Sequence, residues 1–593
     1  MNNNTPNNEV KNFKYAITRL IKELKKYKVL IIISLLLASL SAVLSIIAPN
    51  KLSDLTDEIS KGLINPKMNL EKIKNIGIYL IALYSCSALF NYIQSLSMTD
   101  VSNKFAKDLR KKIIKKINKL PLKYFDKHPI GDTLSKVTND VDTISQNLNH
   151  SLATLVSSIT LFIGTIIMMF YTNWIMALTA IVSSVFGFMF MGAVLSKSQK
   201  YFISRQTELG LLNGHIEEIY SGLNVIKAYN AQEETTEKFD ELNYKVFNAN
   251  KMSQFLSGLM MPMMNFIGNF GYVAVCIVGA LLTMNNHITF GVIVAFMIYV
   301  RLFTNPLSQI AQAMTSMQST AAASERVFEF TDDEEMKDES NIKTYLKKED
   351  IKGNIEFKNV VFTYAGKKKP TIKNFSAKIK KGSKVAIVGP TGAGKTTIVN
   401  LLMKFYNIDS GDITIDNKSI NDLTRDNIHE LFTMVLQDTW LFDGTIKENI
   451  IYNMQDISDE EIKEVCKTVG LHHFIKTLPQ GYDTNISESD SISAGQKQLL
   501  TLARGMIENS PLLILDEATS NVDTKTEELV QRAMDKLSKG KTSFIIAHRL
   551  STIKNADLIL VMKDGNIIEQ GNHEELIEQK GFYYDLYTSQ FKM

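Results

Sequence analysis

Little in this chain of 593 residues leans toward one charge: 66 Lys and Arg face 62 Asp and Glu, for a formal net charge of +4. That near balance gives no case for nucleic-acid binding, so no nucleic-acid partner is expected. Cysteine is scarce as well. Cys86, Cys276 and Cys466 lie far apart and match no metal-ligand or redox spacing, which excludes a disulfide framework. The most informative scarcity is local. Residues 29–48, 76–96, 152–170, 175–195 and 255–284 contain no Asp, Glu, Lys or Arg, and a sixth run, 289–310, carries Arg301 alone.

A bilayer core takes ~20 consecutive, mostly apolar residues per helix. A charge at the centre of such a helix costs ~2.5–3.5 kcal/mol on insertion scales, which accounts for the gaps. Six spans are therefore expected. The segment before the first is rich in Lys and Arg, as are the loops after the second (Lys104 to Lys136) and the fourth (Lys197, Lys200, Arg205). The short turns at Thr172-Asn173-Trp174 and Asn285-Asn286-His287 lack both residues. The positive-inside rule then places both termini in the cytoplasm. The first run follows 28 residues and no small-residue cleavage site, so it reads as a retained span. In the loop after the second span, Leu109, Ile113, Ile114, Ile117 and Leu120 recur at helical spacing, which predicts packed helices beyond the membrane. Arg301 has two readings: it faces the bundle interior or a substrate cavity, or it snorkels toward the interface near Pro306.

Beyond Asp332 the character changes. Charges spread throughout, and strand-like runs alternate with helical ones. Residues 331–351, including Asp332-Asp333-Glu334-Glu335, read as a linker between a membrane domain (1–330) and a soluble α/β domain (352–593).

In the soluble part, Gly389-Pro390-Thr391-Gly392-Ala393-Gly394-Lys395-Thr396 follows the apolar run Lys384 to Val388 and precedes a helical stretch beginning at Thr397. This spacing gives a phosphate-binding loop. Glycines let backbone N–H groups converge on phosphate oxygens, Lys395 reaches the β and γ oxygens, and Thr396 can ligate Mg²⁺. ATP and Mg²⁺ are the ligands expected. Tyr364, 25 residues upstream, is an adenine-stacking candidate, and Thr397 extends the loop into the helix. Gln437 follows the run Phe432 to Leu436 and can reach the metal. Leu512-Leu513-Ile514-Leu515 ends in Asp516-Glu517, one carboxylate to hold Mg²⁺ and its neighbour to orient an attacking water. His548, after the run Ser543 to Ala547, is a γ-phosphate contact candidate. Ser493-Ala494-Gly495-Gln496 opens a helix on an S-x-x-Q capping box, and such a capped start can also receive an anion.

Together and in this order, these motifs resemble an ATP-binding cassette (ABC) exporter half-transporter over essentially the whole chain. In that family's terms, residues 389–396 are similar to the Walker A motif and 512–516 to Walker B, with Glu517 as the catalytic carboxylate. Ser493, Ala494, Gly495 and Gln496 resemble the signature, Gln437 the Q-loop glutamine, Asp523 the D-loop aspartate and His548 the switch histidine. Leu120 to Asp126 and Asn139-Asp140-Val141-Asp142 resemble the exporter's first cytoplasmic loop. Ala494 stands where the signature often has Gly, Ile492 where it has Leu, and the segment before it is one residue short. Gly505 replaces a commoner Ala inside the signature helix, at ~1 kcal/mol of helix propensity.

The resemblance implies a six-span helical domain followed by an α/β P-loop ATPase domain. It implies dimers in which each ATP lies between one chain's phosphate loop and the other's signature. It is especially close to the catalytically competent subunit of bacterial heterodimeric multidrug exporters, on Asp516 to Glu527, so a second, different half-transporter is the favoured partner and a homodimer the alternative. The expected cargo is a hydrophobic or amphipathic small molecule, drug-like or lipid, moved across the plasma membrane. A peptide exporter with the same engine and an ATP-gated channel are the other readings.

Overall fold

The computed structural model describes residues 13–64, 69–436, 439–486, 492–516, 524–546 and 553–591. Two compact units emerge: Met1–Asn118 with Ile130–Asp333, and Lys119–Pro129 with Glu334–Met593.

The first unit is helical. Its main elements are α1 (Phe13–Glu23), α2 (Lys28–Ile64), α3 (Leu70–Ile117), α4 (Val141–Thr172), α5 (Trp174–Ser221), α6 (Gln232–Gly258), α7 (Met260–Met284) and α8 (Phe290–Asp332). Among the described residues, α2, α3, α4, α7 and α8 carry runs long and apolar enough to cross a membrane. The remaining expected span opens α5, whose apolar run is the shorter Trp174–Val185. At ~1.5 Å rise per residue, the 48 residues of α3 extend far past a hydrocarbon core. The periodic residues Leu109 and Ile113 are buried near its end. The uncharged run at 255–284, read as one span, is divided: α6 ends at Gly258 and α7 begins at Met260, with Pro262 in its first turn, where a missing N–H costs nothing.

Several polar groups on the apolar helices pair within this unit. Tyr299, fully buried, donates to Asn50 Oδ1 at 3.0 Å, and Thr172 donates to the same oxygen at 3.1 Å. Asp57 accepts the Gly291 N–H at 2.7 Å and the Thr289 hydroxyl at 2.6 Å, capping α8. A Cβ at Gly291 would lie 2.3 Å from the Ser53 carbonyl oxygen, so this approach requires glycine. Away from the apolar runs, Arg326 forms a fork on the buried Asp140 at 2.6 and 3.0 Å. Arg19 and Tyr15 of α1 both reach Asp332, at 3.1 Å each.

The second unit is built on two sheets. In the smaller, β1 (Ile355–Phe362) is flanked by β2 (Ile372–Ile379) and β4 (Ser410–Ile415), with β5 (Lys418–Ser419) at the edge. The larger has the order β12-β11-β3-β10-β9-β6, from β3 (Lys384–Val388), β6 (Phe432–Val435), β9 (Leu512–Asp516), β10 (Thr542–Ile546), β11 (Leu558–Lys563) and β12 (Asn566–Gly571). All but the edge strand β12 run parallel to their neighbours in this sheet. Between β6 and β9 in the chain, β7 (Gly444–Thr445) and β8 (Asn485–Ile486) form a separate antiparallel pair. Buried on both faces, β3, β9 and β10 carry continuous buried stretches rather than an alternating pattern. Glu339 sits between Arg425 at 2.6 Å and the buried Lys404 at 3.0 Å, tying the start of this unit to its body. Residues 119–129 also belong here: the short helix Leu122–Phe125 is followed by Asp126, which accepts the Tyr406 hydroxyl at 2.8 Å.

Candidate ATPase site

The order of the parallel strands aligns the strand ends that several expected site residues follow in sequence. Asp516, the last residue of β9, is level with Ile546 of β10, and Ile546 is level with Ile387 of β3. Val435 of β6 pairs with Leu515. The phosphate loop leaves β3 directly, and the chain leaves β6, β9 and β10 toward Gln437, Glu517 and His548 from the same edge. Ligands of open parallel sheets bind outside the carboxyl ends of the strands. Gln437, Glu517, His548 and Asp523 themselves lie outside the described residues, as does most of the segment that precedes the signature.

The loop's shape follows from its glycines. Gly389, Gly392 and Gly394 adopt φ of 152°, 83° and 102°. A Cβ on Gly389 would fall 2.2 Å from the Met562 carbonyl oxygen, so β11 leaves no room for a side chain. Pro390 accepts the Ala393 N–H at 3.1 Å, closing the turn, and the Ala393 carbonyl accepts the Gly565 N–H at 3.2 Å. Thr391 and Gly392 are exposed at the tip. Helix α9 (Lys395–Leu402) then starts from left-handed Gly394, which offers no side chain to cap its first N–H groups.

Lys395 is buried, and its ammonium donates to the carbonyl oxygens of Gly389 at 2.9 Å and Pro390 at 3.2 Å. Burial lowers its pKa, and the nearby Asp516 carboxylate opposes that shift. A cation folded onto its own loop, beside a carboxylate, suits an anionic ligand. Thr396 is exposed next to it. The Thr396 hydroxyl and Asp516 carboxylate supply hard oxygens of the kind Mg²⁺ selects, and Mg²⁺ completes its shell with water and phosphate rather than a protein cage. These residues fit an ATP–Mg²⁺ pair.

Tyr364 is half-buried. Its hydroxyl lies 3.2 Å from the buried Thr397 Oγ1, so the tyrosine is anchored to the phosphate-loop helix. Its ring packs edge-on against Phe362 and Tyr406, with centroids 4.8 and 5.2 Å away. Tyr406 is a functional candidate that sequence reasoning missed; with no spacing rule to mark it, the signal was its place just past the phosphate-loop helix. Burial and the Asp126 carboxylate both raise its pKa, so the phenol stays a proton donor.

The signature start is set differently. Helix α10 (Ala494–Glu508) is capped by Ser493, whose Oγ accepts the Gln496 N–H at 3.3 Å, while Gln496 Oε1 accepts the Ser493 N–H at 2.9 Å. Both halves of the expected capping box are present. Ala494 is exposed and Gly495 buried. The unusual Gly505 has a reason: a Cβ there would meet Thr433 Cγ2 of β6 at 2.9 Å. Arg301 is exposed on α8.

Comparison with known proteins agrees with this geometry. Residues 31–307 match the ABC transporter transmembrane region, and residues 372–520 match the ABC transporter model. The chain is 44% identical over 507 residues to a "Fatty acid ABC transporter ATP-binding/permease protein" of Mycobacterium bovis, covering 85% of this chain and 80% of that protein. It is 38% identical to the "Uncharacterized ABC transporter ATP-binding protein YfiC" of Bacillus subtilis over 98% of this chain and 96% of that one. An "ATP-dependent lipid A-core flippase" of Syntrophus aciditrophicus is 33% identical over 88% of this chain and 87% of that protein.

Proposed function

The chain belongs to the ABC transporters of exporter type, whose ATPase drives transport, and on that premise we propose that it is one half of a dimeric exporter moving an amphipathic lipid or lipid-like molecule across the plasma membrane. The observation that carries the ATPase part is the shared strand edge, which brings the phosphate loop and Asp516 together and leads the chain toward Gln437, Glu517 and His548. The lipid end of the cargo range is supported by the relatives named for fatty acid and lipid A-core.

In this reading Lys395 leaves its two loop carbonyls for the β and γ oxygens, and the uncapped N–H groups of α9 hold the same phosphates. Tyr364 stacks on adenine. Thr396, Gln437 and Asp516 would hold Mg²⁺, which would supply charge neutralisation at the phosphates. Glu517 orients water and His548 contacts the γ-phosphate. Ser493, Ala494, Gly495 and Gln496 act on the ATP of a second half-transporter, with Asp523 at the junction. A different subunit is the favoured partner, and both termini lie in the cytoplasm. Arg301 remains a substrate-cavity candidate.

The test is ATP-dependent lipid uptake into inverted vesicles, with wild type against Glu517→Gln. Wild type should accumulate lipid, and the variant should bind ATP while losing most turnover. Normal phosphate release from the variant would refute the role of Glu517. ATP hydrolysis with no vectorial movement would refute export.

A further inference from the structure

Within the first unit, side chains of α2, α3, α4 and α8 line a half-open cavity of about 670 Å³. Its position along the helices is fixed by sequence. Ser41 and Ser45 lie in the second half of the first apolar run, Ser87 to Ser95 in the second half of the next, and Asn149 and His150 just before the third. The cavity thus spans from the second half of the first run to the end nearest the long loops.

The lining is polar. Hydroxyl and amide side chains dominate, His150 joins them, and among the described residues no Asp, Glu, Lys or Arg contributes. Polar residues at such depth are costly and mark pathways or sites unless helix packing uses them. Packing does use some. Ser41, Ser45 and Ser87 bond to one another at 2.9 and 3.2 Å, knitting α2 to α3. Gln309 accepts from Ser158 at 2.8 Å. Asn91, Gln94 and Thr154 have no such use. Each lines the cavity, and none has a side-chain hydrogen bond within the protein among the described residues. Gln94 is buried.

We propose that this cavity receives the uncharged polyol headgroup of an amphipathic lipid, such as a glycosyl diacylglycerol. A sugar presents hydroxyls that both donate and accept, matching the amides of Asn91 and Gln94 and the hydroxyl of Thr154. A carboxylate or phosphate headgroup finds no fixed cation here to offset its desolvation. The volume lies within the ~300–1,000 Å³ usual for small-ligand sites. This inference rests on the lipid-export reading and narrows it.

The experiment uses the full chain, in the assembly it forms, reconstituted in liposomes. Three fluorescent lipids with matched acyl chains are compared: monoglucosyl diacylglycerol, phosphatidylglycerol and the free fatty acid. Both ATP-driven translocation and lipid-stimulated ATPase are followed. The glucosyl lipid should be moved best. Asn91→Leu and the near-isosteric Thr154→Val should each raise its KM about tenfold, the loss of one hydrogen bond, with basal ATPase unchanged. Thr154→Val also guards against a folding artefact. Preferred movement of the anionic lipids, or an unchanged KM in both variants, would overturn the headgroup assignment and leave lipid export standing. Basal hydrolysis with no lipid of any kind moved would overturn both.

Discussion

Two helix starts in the second unit resemble each other in sequence and differ in physics. At Gly394 the chain enters α9 in a left-handed conformation, with no side chain to cap the first N–H groups. At Ser493 it enters α10 through a reciprocal box in which two side-chain oxygens occupy two backbone N–H groups. The first terminus keeps its donors open and places a buried ammonium beside them. The second is already stable by its own local bonds. The difference separates a start shaped for a ligand from one shaped for rigidity, which then presents its exposed end to whatever approaches.

The largest expected break of that contrast is Lys395→Met. Losing charge-assisted contacts of ~1.5–3 kcal/mol should weaken ATP binding by about tenfold to a hundredfold, measured by calorimetry. Ligand-free melting temperature should hold or rise, because a buried charge is removed. The pH dependence has a definite sign. The folded-state pKa of Lys395 is lowered, so the charged form disfavours the ligand-free fold at pH below that value. The penalty fades as pH rises from the lowered value toward the usual lysine range. The melting advantage of Lys395→Met should therefore be greatest near neutral pH and shrink in alkali; an advantage that grows with pH would contradict it.

Gly394→Ala comes next. It places a Cβ at φ 102° and 2.7 Å from Ile372 Cδ1, and backbone strain of ~1–3 kcal/mol should appear as a lower denaturation midpoint together with weaker ATP binding. Ser493→Ala should cost ~1 kcal/mol of stability, seen in chemical denaturation, and should lower ATP affinity less than Lys395→Met does. If it lowers ATP affinity as much as Lys395→Met, the two helix starts are not distinct in role. Gly505→Ala is the smallest and most pointed change. Propensity alone favours it by ~1 kcal/mol, but the 2.9 Å approach to Thr433 opposes it, and a net loss in denaturation midpoint is expected.

Much of this was legible because it is local. The capping box needs four consecutive residues, the phosphate loop eight, and a span one charge-free run. Each carries its physical requirement within its own stretch of chain. The strands β3, β9 and β10 were visible as strand-like runs for the same reason. Other features were hidden. The tie between Tyr364 and Thr397 joins residues 33 apart, and the bond from Tyr406 to Asp126 joins residues 280 apart. The 255–284 run looked continuous, because absence of charge reports burial in lipid and not where a helix restarts.

The sequence by itself determined that the chain crosses a membrane several times and that its soluble part cradles a nucleotide phosphate. Both follow from desolvation: charge excluded from apolar runs, and backbone donors freed by glycine. Only the tertiary structure decided that β3, β10, β9 and β6 stand side by side in that order, that residues 119–129 fold with the second unit, and that uncharged polar side chains from α2, α3, α4 and α8 line one half-open cavity. Those depend on which distant segments close against each other, a matter of packing and hydrogen-bond satisfaction over the whole chain rather than of any one segment's composition.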